Sequence, residues 1–480
     1  MAIKDFIKKF IVKIKLLGIA LLVVLLSSAA GLLLLLSVYS LPIENIMTNV
    51  SESADIIEEE GTYPLFWEDR LIRLSPENMR DPKALLFNNR MTARDNYTDS
   101  YMLLNAAYSG EEPLLERALK VYRYNNFQNE PHLTLTYVYK EDRWDNLTVE
   151  EYARYWHGYL VFLKPLLELL NYGQIRVLNV ILMLLLLVGD VYLIGKRLQV
   201  QGGGDMVGAM PLKINARNKK NAGIRRKVFA LTYGFLFFMP FTVPFCMQFC
   251  TCSYVILIAI GLIAAKGEKW SERENALTIL FLVLGIITSY VDYLTFPLTT
   301  FGLPLLLLWT LYPERTRKFV KLVEYGFFWC IGYVGMWSMK WVYVNLLLGD
   351  NLIGEAIQQV AFRSSSAMDN EEGTISILGA LGSNFCNYIN IAYLLLILVA
   401  MVWIILVIKA YLVDKSGELT QPSLFLYFLV ALLPLGWYVV FRNHSYSHGS
   451  FTYRDLSVLV MSGLLFFAEL GNPVADMKKS

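Results

Sequence analysis

Charge is scarce in this chain of 480 residues: Asp, Glu, Lys and Arg make up 18% and hydrophobic residues 55%, where a soluble domain carries about 25% charge. The shortfall sits in long apolar runs rather than being spread evenly. That excludes soluble, fibrous and disordered classes and makes the chain a polytopic membrane protein, with a mean hydropathy of +0.43. Cysteine is scarce as well. Cys246, Cys250, Cys252, Cys330 and Cys386 all lie in or beside apolar runs, and the largest polar segment has none, so no disulfide framework is expected. Cys250-Thr-Cys252 lacks the second ligand pair of a zinc site, and no metal centre is read from it. The glycine patch Gln201-Gly-Gly-Gly204 lacks the lysine of a phosphate-binding loop. A net charge of +2 gives no bulk attraction to nucleic acid, so no nucleic-acid partner is expected.

What the chain does have is a polarity of charge along its length. Five lysines in residues 1–15 precede an apolar run from Leu16 to about Val38. The run exceeds the roughly 7–15 residues of a signal-peptide core and can span about 30 Å of hydrocarbon, so it reads as an uncleaved anchor with its N-terminus in the cytoplasm. After the span Ile175–Ile194, residues 196–227 carry nine Lys/Arg against Asp205 alone, which marks a cytoplasmic loop. The intervening residues 40–157 carry 21 acidic and 12 basic residues and fall on the outer side.

The same alternation places spans at Phe229–Phe245, Ser253–Ala265, Ala276–Tyr290, Phe301–Leu311, Phe319–Val344, Ile389–Ile408, Ser423–Phe441 and Leu456–Leu470. The expected architecture is all-α: about ten transmembrane helices with both termini inside and a large external first loop carrying amphipathic surface helices. It divides into residues 1–39, the external segment 40–174, the spans of 175–344, a second external loop 345–388, and the C-terminal spans 389–480.

Candidate functional residues gather where outer-side water and substrate reach them. Asp95 and Asp99 stand four apart ahead of an apolar helical stretch, which puts both on one face; the bland alternative is a turn with Thr98 or Asp99 as a helix N-cap. In Tyr152–Leu170, a helix would bring Arg154, His157, Lys164 and Glu168 within an arc of about 80°, a basic stripe suited to a lipid phosphate or to interfacial anchoring. Pro165 interrupts it. Asp292 is a carboxylate at the membrane boundary, and Lys340 lies near the outer end of its span. The turn Arg442–Arg454 holds Arg442, His444, His448 and Arg454. His444 and His448 have a metal-ligand spacing, with Asp455 the one acid close by. A carboxylate base opposed by a cationic cradle is what attack of a hydroxyl on a lipid-phosphate-linked sugar requires.

With these residues the chain resembles the GT-C superfamily of integral-membrane glycosyltransferases, which use polyprenyl-phosphate sugars. The likeness is chiefly architectural. The segments Asp95-Asn-Tyr-Thr-Asp99, Arg154-Tyr-Trp-His-Gly158, Asp292-Tyr-Leu-Thr and Arg442-Asn-His-Ser also resemble those of a branch of polytopic proteins from low-GC Gram-positive bacteria. The resemblance implies a transferase at the outer face of the bacterial plasma membrane, with Asp95 or Asp99 as base and Asp292 orienting the acceptor or supporting a cation. Arg154, His157, Lys164, Lys340, Arg363, Arg442, His444, His448 and Arg454 would contact phosphate and sugar. The donor is a polyprenyl-phosphate sugar, the acceptor a glycan or lipid, no cofactor is called for, and a divalent metal stays open. In many members the acid follows the first span closely, where this chain has Glu44, Glu52 and Asp55, while Glu58-Glu-Glu60 reads as a solvated acidic run. A carrier or flippase of lipid-linked sugars is the rival reading, followed by a glycan polymerase or ligase.

Overall fold

The computed structural model describes residues 2–65, 83, 86, 92–126, 130–202, 216–238, 240–369, 373–414 and 424–470. The basic residues Lys478-Lys479 and much of the glycine-containing linker after residue 202 lie outside them.

The described chain is mostly helical. Six helices are long and apolar enough to cross a membrane: Lys13–Tyr39, Tyr172–Val200, Met247–Glu272, Phe319–Leu348, Ile391–Leu412 and Gly449–Leu470. Shorter apolar helices cover Ala276–Val291, Thr299–Leu311 and Phe425–Val440, and Ala216–Leu236 begins in the basic segment. Thr299–Leu311, about 20 Å long at 1.5 Å per residue, is buried along its whole length. Neighbouring helices cover it, so its length has no lipid thickness to match.

Helix ends sort into two groups, each knitted together by polar contacts. At one end Arg197 bonds Tyr312 Oη (3.0 Å) and pairs with Glu268. Arg315 pairs with Glu272 (2.9 Å), and Glu469 receives Lys227 (2.9 Å) and Arg317 (3.1 Å). At the other end Arg176 meets Phe245 O (3.0 Å), Thr299 N–H meets Asp455 (3.2 Å), and Asn443 N–H meets Ser365 O (3.2 Å). Residues that the charge pattern assigns to one side therefore touch one another.

The tightest crossing joins Ala276–Val291 to Phe319–Leu348. A Cβ at Gly285 would strike the Trp329 carbonyl, and one at Gly332 would strike the Leu282 carbonyl, so the two backbones meet through reciprocal glycines.

Residues 40–174 form a folded cap. Glu44–Glu60 buries Ile46, Val50, Ala54 and Ile57, an i, i+4, i+8, i+11 stripe, and stops at Gly61, whose φ of 77° an L side chain resists. The all-α expectation needs one correction. Tyr122–Asn125 and Thr148–Glu151 pair as an antiparallel ribbon, with Tyr122 opposite Glu151 and Asn125 opposite Thr148.

The expected helix over Tyr152–Leu170 is also corrected: helix begins only at Leu160 and runs to Leu167, with Pro165 inside it. Residues 152–159 are held open by tertiary bonds. Trp337 Nε1 (2.7 Å) and Trp341 Nε1 (3.1 Å) both donate to the Arg154 carbonyl, Trp156 Nε1 to Met336 O (2.6 Å), and Gly158 N–H to Tyr290 O (2.8 Å). Four such bonds outweigh a propensity difference of a few tenths of a kcal/mol per residue. The basic stripe of Arg154, His157 and Lys164 consequently does not form.

The segment Arg442–Arg454, read from sequence as a short turn, instead folds into short helices starting with Arg442–Ser447, in which Asn443, His444 and Ser445 are buried.

Candidate functional site

A cavity of about 560 Å³ lies where the 40–174 cap meets the helix ends. Five of the sequence-predicted residues line it: Asp95, Arg154, Arg363, His444 and His448. They come from four separate segments, and only the fold brings them together.

Asp95 is the carboxylate among the expected bases that reaches the cavity. It caps the helix Asn96–Ala106, accepting from Thr98 N–H (3.0 Å) and the Thr98 hydroxyl (3.1 Å), and its own N–H donates to Cys246 Sγ at 2.9 Å. The N-cap reading therefore holds, but the cap is Asp95 in place of Thr98 or Asp99, and Asn96–Thr98 form the first helical turn rather than a turn ahead of the helix.

Asp99 points the other way and is fully buried, so the two carboxylates do not share a face. Its oxygens accept from Tyr172 Oη (2.5 Å), Met247 N–H (2.9 Å) and Gln248 N–H (3.1 Å). Burial raises its pKa, and those donors together with Arg176 draw it back, leaving it at about 6. Asp99 fastens the cap to the first turn of Met247–Glu272.

Asp292 lies beneath the cavity wall and does not line it. It accepts from Thr295 N–H (2.9 Å), from the Thr295 hydroxyl and from the Thr251 hydroxyl (3.3 Å). Burial pushes its pKa up against those donors. The turn it closes holds Leu294 at φ 71°, a conformation a branched side chain resists, and presents the Leu294 carbonyl to His444 Nε2 at 2.7 Å. His444 is therefore protonated on Nε2, and burial keeps its imidazole neutral, well below the usual pKa. Its ring centroid is 4.8 Å from that of His448. No group of three His, Cys, Asp or Glu suited to a metal exists among the described residues.

The remaining expected cations stay outside the cavity lining. His157 is buried with φ 55°, donates from Nε2 to Tyr152 O (2.8 Å) and is held neutral by burial and by the nearby charge of Lys340. Lys164 is buried and donates to Ala106 O at 2.7 Å, closing the end of Asn96–Ala106; burial lowers its pKa to about 8. Lys340 Nζ is fully buried, 3.4 Å from Ala118 O and 5.5 Å from the Trp156 ring. Arg442 does not line the cavity, and Arg454 lies behind its wall.

Other lining groups were not singled out from sequence. Arg123 is clamped by Glu150 (2.8 and 3.1 Å) and sits 4.1 Å from the Tyr101 ring and 5.2 Å from Tyr152, whose ring also lies 5.0 Å from the Arg154 guanidinium. Tyr155 stacks on Trp337 at 5.5 Å. Arg94 enters on a network rooted in Glu60, which accepts from Arg94 (2.6 Å), Arg176 (2.8 and 2.9 Å) and Asn96 (3.0 Å). Arg176 continues to Asn96 Oδ1 (2.8 Å) and Tyr172 Oη (2.7 Å). Glu60 is thus corrected from a solvated acid to a structural hub. The faint sequence signal for it was Arg176, a lone cation at the start of an apolar span that needs an anion.

Each lining arginine also has a carboxylate partner. Arg94 has Glu60, Arg123 has Glu150, Arg363 has Asp369 at 3.0 Å, and Arg154 has Glu355 at a longer 3.5 Å. The site is therefore an aromatic bowl with guanidinium groups along its wall and one capping carboxylate.

No protein-family model, no curated protein and no solved structure matches the chain.

Proposed function

We propose that the protein is a membrane glycosyltransferase that moves a sugar from a polyprenyl-phosphate-linked donor to a glycan or lipid acceptor. The observation that carries this reading is the joining of Asp95, Arg154, Arg363, His444 and His448 in one aromatic cavity at the membrane-boundary end of the helices. Aromatic faces suit the apolar faces of sugar rings, guanidinium groups suit phosphate oxygens, and a carboxylate suits a hydroxyl proton.

In this mechanism Asp95 takes the proton of the acceptor hydroxyl as that oxygen attacks the anomeric carbon. The bond from that carbon to the phosphate oxygen breaks, and the electron pair leaves with the lipid phosphate. Arg154, whose carboxylate partner is the most distant, and Arg363 stabilise the departing charge. Asp99 and Asp292 hold the walls of the cavity. Of the two expected bases, the role falls to Asp95 rather than Asp99, and Asp292 acts on the wall in place of the acceptor or a cation.

The topology that goes with this reading has about ten crossings, the termini in the cytoplasm, and the cap and cavity on the outer face of a bacterial plasma membrane. It is supported by the basic residues Arg197, Lys227, Arg315 and Arg317 at the end opposite the cavity. Release of polyprenyl phosphate from a synthetic donor, dependent on acceptor and on Asp95, tests it.

A carrier or flippase is the second reading, favoured by one observation. Asp190, in the span Tyr172–Val200, is 5% exposed and its Oδ2 has no hydrogen-bond partner among the described residues. It stands about 27 Å from the cavity end of that helix at 1.5 Å per residue. Movement of a labelled lipid across vesicles without its hydrolysis or transfer would favour this reading.

A further inference from the structure

Arg454 is 1% exposed, and no carboxylate among the described residues pairs with it. Its Nη2 donates to Thr242 Oγ1 at 3.2 Å, while Nε and Nη1 have no partner. The neighbouring carboxylate, Asp455, is turned to the Thr299 N–H instead. Aromatic faces surround the guanidinium: its carbon lies 4.1 Å from the Phe249 ring centroid, 5.0 Å from Tyr453 and 5.7 Å from Phe296.

Such faces return less than an uncompensated buried charge costs. Orphaned buried donors call for an acceptor. Phe249 connects this arginine to the cavity, because the same side chain lines the cavity wall. Gln248, one residue earlier, lines it too, and its buried Nε2 has no partner. Phe249 thus joins the unused donors of Arg454 to a cavity wall on which Gln248 carries another.

The geometry points to Arg454 as an occluded second anion station, covered by Phe249, that receives the phosphate of a lipid-linked substrate when the ring turns aside. The anion's being a lipid phosphate rests on the glycosyltransferase reading; the existence of the station does not. In the closed state the Phe249 face screens the charge. In the open state the phosphate oxygens accept from Arg454 Nε and Nη1, with Gln248 Nε2 beside them.

The test is equilibrium binding of farnesyl phosphate, and of inorganic phosphate, to the detergent-solubilised full chain, read by tryptophan fluorescence. Removing the cover in Phe249→Ala is expected to tighten farnesyl phosphate binding about three- to fivefold, the equivalent of one cation–π contact released. Adding Arg454→Gln is expected to abolish that gain. Phe249→Leu keeps an apolar side chain near the original bulk and makes the same comparison if the alanine variant fails to fold. Unchanged affinity in both Phe249 variants, or a gain that survives Arg454→Gln, would overturn the station and leave the donors to buried water. Equal affinity for farnesyl and inorganic phosphate would overturn the lipid assignment. Because binding needs no sugar transfer, a protein inactive in transfer that keeps Arg454-dependent binding would refute the glycosyltransferase reading alone.

Discussion

Glu60 and Glu58 stand two residues apart at the end of one helix and should respond very unequally to the same change. Glu60 has a side chain 21% exposed and meets Arg176, 6% exposed, and Arg94 through contacts of 2.6–2.9 Å. Glu58 pairs with Lys140 at 2.6 Å with both side chains about two-fifths exposed. Removing one partner of a buried ion pair costs about 3–5 kcal/mol, since the other charge is left stranded. The residual exposure of Glu60 and the acceptor oxygen that glutamine retains reduce this to about 2–3 kcal/mol for Glu60→Gln. An exposed pair is worth about 0–1 kcal/mol, which bounds Glu58→Gln. The assay is reversible SDS unfolding in mixed micelles, followed by the fluorescence of the ten tryptophans. In a double-mutant cycle with Arg176→Gln, the paired loss should be smaller than the sum of the single losses by about 1–3 kcal/mol. If Glu60→Gln and Glu58→Gln cost the same, or if the cycle is additive, the hub does not hold the cap.

The same carboxylate sets a pH dependence. Burial alone would raise the Glu60 pKa, but the Arg176 charge, the Asn96 amide and the Arg94 charge outweigh it and hold it below its ordinary 4.5. Its folded pKa is lower than its unfolded one, so its stabilisation is present above about pH 4.5 and is lost as pH falls through the folded value; unfolding curves of wild type and Glu60→Gln should converge there. On Phe319–Leu348, Gly332→Ala forces two backbones apart and should cost about 1–3 kcal/mol. Gly326→Ala, whose added methyl would meet only the Phe301 ring at 3.5 Å, should be neutral or raise stability slightly, as thermal unfolding in detergent would show. Asp95→Asn keeps the helix cap and should leave stability within about 0.5 kcal/mol, while Asp95→Ala should lose about 1 kcal/mol; equal losses would mean that the cap interaction depends on the charge.

The apolar spans were legible because length and composition report them directly. Leu16–Val38, Ile175–Ile194 and Phe319–Val344 fall inside helices of the structure. Asp95 was legible as a polar group leading a helix, but its separation from Asp99 was not. That separation depends on Met247 and Gln248, some 150 residues away, whose N–H groups draw Asp99 out of the cavity. The Tyr152–Leu170 stretch misled for a related reason: its helical periodicity is real, yet indoles from Trp337 and Trp341 claim the Arg154 carbonyl. Local pattern carries no record of such partners. Lys164, Lys340 and Arg454 were read as outward cations because buried lysines and arginines are rare, and the carbonyls and ring faces that receive them come from other segments. The Arg123–Glu150 clamp depends on a ribbon whose strands are four residues long, too short to stand out in sequence.

Transfer catalysed by purified protein from a synthetic polyprenyl-phosphate sugar, wild type against Asp95→Asn, tests the central claim most directly. The expected result is acceptor-dependent release of polyprenyl phosphate by the wild type, and a rate about 10²–10⁴-fold lower in a variant that unfolds at the same SDS concentration. Full activity in folded Asp95→Asn, or labelled lipid crossing vesicles with no release of polyprenyl phosphate, would contradict it.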